Sequence, residues 1–276
     1  MWTSNRFGFS KELWMSRVAI THIGGPTVLI EVDGWRILTD PTFDPPGEHW
    51  HFGWGATSRK LTGPAIALAD LGPIDLVLLS HDHHGDNLDH AGREMLSQVS
   101  KVVTTVPGKR RLSHRDVVGL APWDKVESTK AGAPNLEIVA TPARHGPPGS
   151  GPIVGAVIGF ALRWEGQENG VLWISGDTVL FDGVREVGQR FNVGTAVFHL
   201  GGVRFPISRP FRYTMTAQDA VELGQQLKPQ TIVPVHYEGW KHFRQDRSAA
   251  REVLDHSELG NSVLWLEPGM PTELTV

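Results

Sequence analysis

The 276-residue chain contains no cysteine. That absence excludes disulfides, thiolate nucleophiles, iron–sulfur clusters and cysteine-type zinc sites, so any bound metal must rest on imidazole and carboxylate ligands. Excess charge of one sign is missing too: 26 Lys and Arg face 30 Asp and Glu, a net charge of −4. A general nucleic-acid binder carries a basic stripe and a high pI, so no nucleic-acid partner is expected. Long apolar runs are absent, none approaching the ~18 residues of a membrane span. The opening MWTSNRFGFSKELWMSRVAI has neither the apolar core nor the small-residue cleavage site of a signal peptide. The expectation is a cytoplasmic protein without membrane insertion. Cysteine-free, the chain is nevertheless rich in His, with 13.

Residues 17–39, RVAITHIGGPTVLIEVDGWRILTD up to its final Asp, hold three β-branched runs divided by Gly-Gly-Pro and Asp-Gly turns. This predicts an antiparallel meander. Residues 40–64 have no periodicity but many Pro, Gly and aromatic residues, which predicts a long functional loop. The run Ile74 to Ser80 is continuously apolar and suits a strand covered on both faces. A helix over 90–98, a strand over 101–106 and a basic turn GKRR follow. Strands are then predicted at 136–141, 154–164, 171–175, 195–200, 231–235 and 262–266, with helices at 183–191, 216–227 and 242–257. No linker interrupts the chain, so the reading is one domain of two similar halves, 17–130 and 131–276.

The cluster HDHHGDN follows directly on the buried strand, where open α/β sheets present ligands. Strand alternation sends His81 and His83 the same way, so both can grip one cation, and Asp86 can reach a second. Three more candidate ligands each end an apolar run: His145 after LEIVATPAR, Asp177 after VLWISG and His236 after TIVPV. Several strand ends carrying His or Asp are what a metal site gathered along one sheet edge requires.

On the segments THIGGPTVLIEVDGWRILTDP, SHDHHGDNLD, ISGDT and VPVHYEGW, spread over nearly the whole chain, the sequence resembles the metallo-β-lactamase fold superfamily. Within it, the chain is similar to the branch of ascorbate-phosphate lactonases and N-acyl-phosphatidylethanolamine phospholipase D-like proteins. The resemblance implies an α/β, four-layer αββα sandwich of two mixed sheets with metals at one edge. It implies His81, His83 and His145 as the first metal site, Asp86 and His236 as the second, and Asp177 as the bridging carboxylate. The family reads His-x-His-x-Asp-His, whereas here one extra residue precedes Asp86 and the last His is Asn87. Either Asn87 ligates through its amide oxygen or His84 enters the second site. Where the branch has Gly-His after the first strand, this chain has Gly24-Gly25, and His22 is assigned no role beyond a partly buried structural one. Asp40 and Asp89 match the pattern as acceptors for the outer ring nitrogens of ligating histidines, with turn capping as the alternative.

The implied chemistry is hydrolysis by metal-activated hydroxide, with one or two divalent ions, Zn or Mn ahead of Fe or Ni. Asp86 and Asp177 would orient that hydroxide; His199, inside an apolar strand, is read as a hydrogen-bonded core residue, with its place near the strand end keeping a proton-donor role as the alternative. Arg204, Arg209 and Arg212 lie in a stretch without acids and would suit a phosphate or carboxylate, with a solvated surface loop as the alternative. Tyr237 is placed with them on the substrate side. The expected substrate is a small anionic molecule, a phosphodiester or a phosphate-bearing lactone or ester. His49 and His51 are read as a substrate wall or a loop cluster rather than a metal site, and the loop around Trp50 and Trp54 as lining a pocket or contacting a second subunit. The alternative function is a metal- or ligand-binding regulatory protein with weak or no turnover. A homo-oligomer is left open.

Overall fold

In the computed structural model, which describes residues 17–276 other than 54, 113 and 114, the first three runs pair as the turns require. Strands β1 (Arg17–Gly24), β2 (Thr27–Val32) and β3 (Trp35–Thr39) form the antiparallel meander. The aperiodic segment after them is not wholly loop, for it contains a short hairpin, β4 (His49–His51) with β5 (Thr57–Arg59). β6 (Leu76–Leu78) then joins β3 in parallel, followed by β7 (Lys101–Thr105) and β8 (Val117–Leu120). Helix α1 (His90–Met95) connects β6 to β7. The GKRR segment is helical, α2 (Val106–Arg111), not a turn: Thr105 caps it through Gly108 N and Pro107 sits in its first turn.

The second sheet begins at β9 (Lys125–Ser128) and continues with β10 (Leu136–Pro142), β11 (Ile158–Arg163), β12 (Val171–Ile174), β13 (Val193–His199) and β14 (Thr231–Val235). A one-turn helix α3 (Gly151–Val154) precedes β11, so strand begins later there than the apolar run suggested. Helices α4 (Asp182–Arg190), α5 (Ala217–Leu227) and α6 (Arg247–Asp255) complete it. Residues 262–266 are not a strand, contributing only a bridge from Val263 to Ile232. A final strand, β15 (Thr272–Thr275), returns to pair with β1. The chain thus changes sheet between 120 and 125, and its C-terminal strand closes the edge of the first sheet.

The two sheets share one plan, antiparallel pairs followed by parallel ones. Alternation within strands makes the layers. Val28, Ile30, Leu76 and Leu78 face Ile138, Phe160, Val197 and Val233 between the sheets. Leu29 and Val77 turn outward to Met95 and Leu96 beside α1, and Phe198 and Ile232 turn outward to Ala220 and Leu223 of α5. Strands buried on both faces explain the unbroken apolar runs, and the result is the four-layer αββα sandwich. His199 ends β13, and the segments beyond β6, β10, β12 and β14 carry His81, His145, Asp177 and His236. No helix among the described residues is long and apolar enough to cross a membrane.

Candidate metal centre

Ser80 extends β6, and its N–H donates to Asp40 Oδ1 at 2.7 Å. Asp40 therefore fixes the backbone just before His81 and touches no ligand ring, contrary to the role the resemblance implied. Burial and the nearby Asp177 charge push the Asp40 carboxyl well above its ordinary range. The loop beyond is anchored by Asp82, which pairs with Arg111 of α2 and whose carbonyl accepts from Arg93. Burial alone would raise the Asp82 pKa, but Arg111 and His83 hold it below the usual carboxylate range. Arg111, in a segment read as a surface turn, is a support that sequence reasoning missed.

Three imidazoles converge here. His84 Nδ1 lies 3.1 Å from His81 Nε2 and 3.0 Å from His145 Nε2. His145 Nδ1 donates to the Tyr213 carbonyl at 2.8 Å, so its Nε2 presents a lone pair. Burial holds all three histidines below their ordinary pKa, His81 and His84 well below. With neutral rings, a His84 Nδ1 that donates to His145 cannot also accept from His81, so the two contacts are not both full hydrogen bonds, and a cation between the nitrogens would satisfy them. The third imidazole of this contact set is His84, where the resemblance implied His83. His83 points its Nε2 at the Val154 carbonyl, 2.5 Å away, although it remains within 4.8 Å of His81 and His84. The inserted residue lets the loop turn one position further. Gly85 permits this, since any Cβ there would lie 2.1 Å from the Trp50 ring.

A second cluster adjoins the first. Donor atoms of Asp86, Asp177 and His236 lie within 4.8 Å of one another, and Asp177 is equally close to His81 and His145. Asp86 Oδ1, Asp177 Oδ2 and His236 Nε2 are buried without any hydrogen-bond partner. Such orphaned atoms cost about 1–3 kcal/mol each, more when charged, and a divalent ion would satisfy all three. His236 is held in the left-handed region, φ 58°, with its N–H on the Gly25 carbonyl at 2.8 Å. The Gly24-Gly25 turn therefore acts as a backstop for this ligand. Burial disfavours the charged His236 ring, but Asp177 and Asp86 outweigh it and raise its pKa to about 9. Burial likewise disfavours ionised Asp86, yet His236 and His242 beside it hold its carboxyl well below the ordinary range.

Asn87 is fully buried, with Nδ2 3.5 Å from Ser80 Oγ. His199 is fully buried, sets Nδ1 3.1 Å from Asp177 Oδ1 and stacks on His236. It lies behind Asp177 as a hydrogen-bonded core residue rather than on the cavity wall. Asp89 touches no ligand ring: it caps α1 through Gly92 N, accepts from Asp44 N and pairs with the buried Lys60 at 2.8 Å. Tyr237 packs into the outer core against Trp265 and does not line the cavity. His22, expected to be partly buried, is wholly so, with Nε2 3.0 Å from the Gly25 carbonyl.

Above the clusters lies a cavity of about 590 Å³ whose floor includes His84, Asp86 and His145. Phe52, Val154, Phe205, Ile207, Phe211 and Tyr213 form much of its wall. Among the described residues lining it there is no arginine. Arg204 and Arg209 are exposed, and Arg212 is paired with Asp219 at 2.9 Å. These arginines stand outside the cavity lining, to which their loop contributes the buried Phe205 and the half-exposed Phe211. His49 and His51 are exposed on the hairpin, and Phe52 after them forms the wall instead. Trp54 lies outside the described residues.

The sandwich with its edge clusters of His and Asp defines a metal-dependent hydrolase of the β-lactamase class. Residues 35–237 match the family model of the β-lactamase superfamily domain, and the chain belongs to that family. Among curated relatives it is similar to a UPF0173 metal-dependent hydrolase of Caldivirga maquilingensis, 25% identical over 90% of this chain and 94% of the relative. A UPF0173 metal-dependent hydrolase of Pelotomaculum thermopropionicum is 29% identical over 78% of this chain and 90% of the relative. Among solved structures, an isothiocyanate hydrolase from Delia radicum gut bacteria superposes with a TM-score of 0.78 at 20% identity, covering 94% of this chain and all of that one.

Proposed function

We propose that this chain hydrolyses a small uncharged substrate that carries an apolar arm, with His81, His84, His145 and Asp177 holding one divalent ion and Asp86, Asp177 and His236 a second. The reading is carried by one observation: His84 and His145 of the converging imidazoles, and Asp86 with its orphaned Oδ1, line a chamber whose wall is aromatic and lacks a cationic side chain at the described positions. When bound, such ions supply a nucleophilic water at neutral pH and stabilise the charge that develops on the substrate. The protein's own groups do the rest. Asp177, within reach of both clusters, fixes their separation, with His199 holding it from behind. The Tyr213 carbonyl sets the tautomer of His145, and the Ser80 hydroxyl holds the His81 ring at Nδ1. Phe52, Phe205 and Phe211 bind the apolar arm and keep bulk water from the reacting centre.

A phosphodiester or phosphate-bearing lactone fits this chamber less well, because its charge would meet no guanidinium there. An electrophilic carbon on an organic arm fits better, as in an aryl ester, an alkyl lactone or an isothiocyanate, the class named for the solved relative. The test is a panel of kcat/KM values for zinc- and manganese-loaded protein on p-nitrophenyl esters, alkyl lactones, benzyl isothiocyanate and bis(p-nitrophenyl) phosphate. The uncharged substrates should lead by at least about tenfold. Replacing Phe205 by alanine should cost them about 10- to 30-fold, the equivalent of roughly 1.5–2 kcal/mol of apolar contact. Preference for the phosphodiester, abolished by alanine at Arg204, Arg209 and Arg212 together, would reverse the substrate assignment.

A further inference from the structure

The second cluster has one imidazole where the first has three. His81, His84, His145 and Asp177 gather at the first position; among the described residues Asp86, Asp177 and His236 form the second cluster, and Asp177 is shared. Three protein ligands and a water complete a catalytic site, so a further imidazole within reach would add a protein donor to the second position. Asn87 follows Asp86 where the related motif carries a histidine.

Another imidazole reaches this position from a distant loop. His242 Nε2 lies 2.9 Å from Asp86 Oδ2, a spacing like those between the donor nitrogens of the first cluster. Its ring is buried, 2% exposed, and stacks on Phe205 with centroids 5.0 Å apart and planes 18° from parallel. Phe52 closes another side at 4.9 Å, so the ring has nowhere to swing. Nδ1 lies 2.6 Å from the Ser58 hydroxyl. If Nδ1–H donates to that oxygen, Nε2 keeps its lone pair on the Asp86 side, the tautomer that a ligating imidazole needs. The backbone is fixed as well: Leu61 N–H donates to the Gly239 carbonyl and Lys241 N–H to the Arg59 carbonyl, which sews this loop to the β4–β5 hairpin.

We propose that His242 is a ligand of the second metal ion, supplying from the 236–246 loop the imidazole missing at Asn87. The inference rests on the two-ion reading of the proposed function. It assigns the hairpin a task beyond covering the chamber, since Ser58 on β5 orients the ligand.

The test titrates the metal-free full chain with Co(II) alone and counts Zn(II) by elemental analysis after removal of free ion. Wild type should bind two ions. His242→Ala should bind one tightly, with the second weakened about 10²- to 10³-fold. Adding Asn87→His to His242→Ala should restore the second. Ser58→Ala leaves the ring in place, so it should weaken the second ion about 10- to 100-fold and spare the first. Melting curves of the metal-free variants report the fold, and if His242→Ala does not fold, Ser58→Ala and His242→Gln carry the same comparison. Two ions with unchanged affinities in the His242 and Ser58 variants would overturn the inference, including where turnover is lost, because His242 would then act on protons. Wild type binding a single ion, lost in His84→Ala but untouched in His242→Ala, would overturn it while leaving a one-ion hydrolase standing. No binding by wild type would instead overturn the metal reading itself.

Discussion

Alanine at His84 removes the nitrogen that lies within 3.1 Å of both His81 and His145, whereas alanine one position earlier removes a bond to the Val154 carbonyl and a neighbour of the Asp82 carboxylate. The adjacent residues should therefore differ sharply in metal binding. Four-ligand zinc sites with apparent free energies of about 10–16 kcal/mol average about 2.5–4 kcal/mol per ligand, or about 10²- to 10³-fold in Kd. His84→Ala should weaken the first ion by that factor. His83→Ala should change metal affinity less than about threefold and cost about 1 kcal/mol of stability, the worth of one neutral hydrogen bond. It should also loosen α3, because His83 is wedged against the strand-entry segment: a Cβ at Gly155 would lie 2.3 Å from its Nε2. Val154, on the chamber wall, would move with that helix, so His83→Ala should raise KM more than it lowers kcat. The assay is competition for Zn(II) against a fluorescent chelator on metal-free protein, with melting curves as the control for folding. Loss of the tight ion in His83→Ala and its retention in His84→Ala would refute the assignment.

Two further outcomes follow from buried polar groups away from the metals. Burial lowers the His22 pKa to about 4, so this ring is neutral in the fold while the unfolded chain binds its proton below about 6.5. Its contribution is complete above pH 6.5 and should fall by about 3 kcal/mol as the pH drops to about 4. His22→Gln, which retains a donor for the Gly25 carbonyl, should flatten that part of the acid-unfolding profile, and an unchanged slope between pH 4 and 6.5 would contradict it. Asp89→Ala should cost about 3–5 kcal/mol, because it strands the Lys60 ammonium, 3% exposed, without its partner. Chemical denaturation measures the loss, and Lys60→Met in the same background should recover much of it; a loss below about 1 kcal/mol would show the pair to be unimportant.

Strand ends were legible in the sequence because apolar runs of the right length stop at identifiable residues, and a run buried on both faces must end where the sheet does. That rule puts His81, His145, Asp177 and His236 at the ends of strands. The helix at α2 was legible too, in Thr105 and Pro107, but the basic residues after them drew the reading toward a turn. Short edge strands escaped: β15 is half-exposed and polar, and only its pairing with β1 makes it a strand.

The sequence by itself determined that any metal rests on imidazole and carboxylate and that His and Asp end the apolar runs, since composition and periodicity require only local geometry, while the class of protein followed from the resemblance carried by four short segments. Tertiary structure decided which imidazole faces inward between His83 and His84, since that depends on Trp50 packing on Gly85 and on Val154 taking the other ring. It decided that Arg204, Arg209 and Arg212 stand outside the chamber while Phe205 and Phe211 line it. It also brought His242 to Asp86, 156 residues away in the chain. Contacts of that kind are made by side-chain packing between distant loops, and no spacing rule within a single segment encodes them.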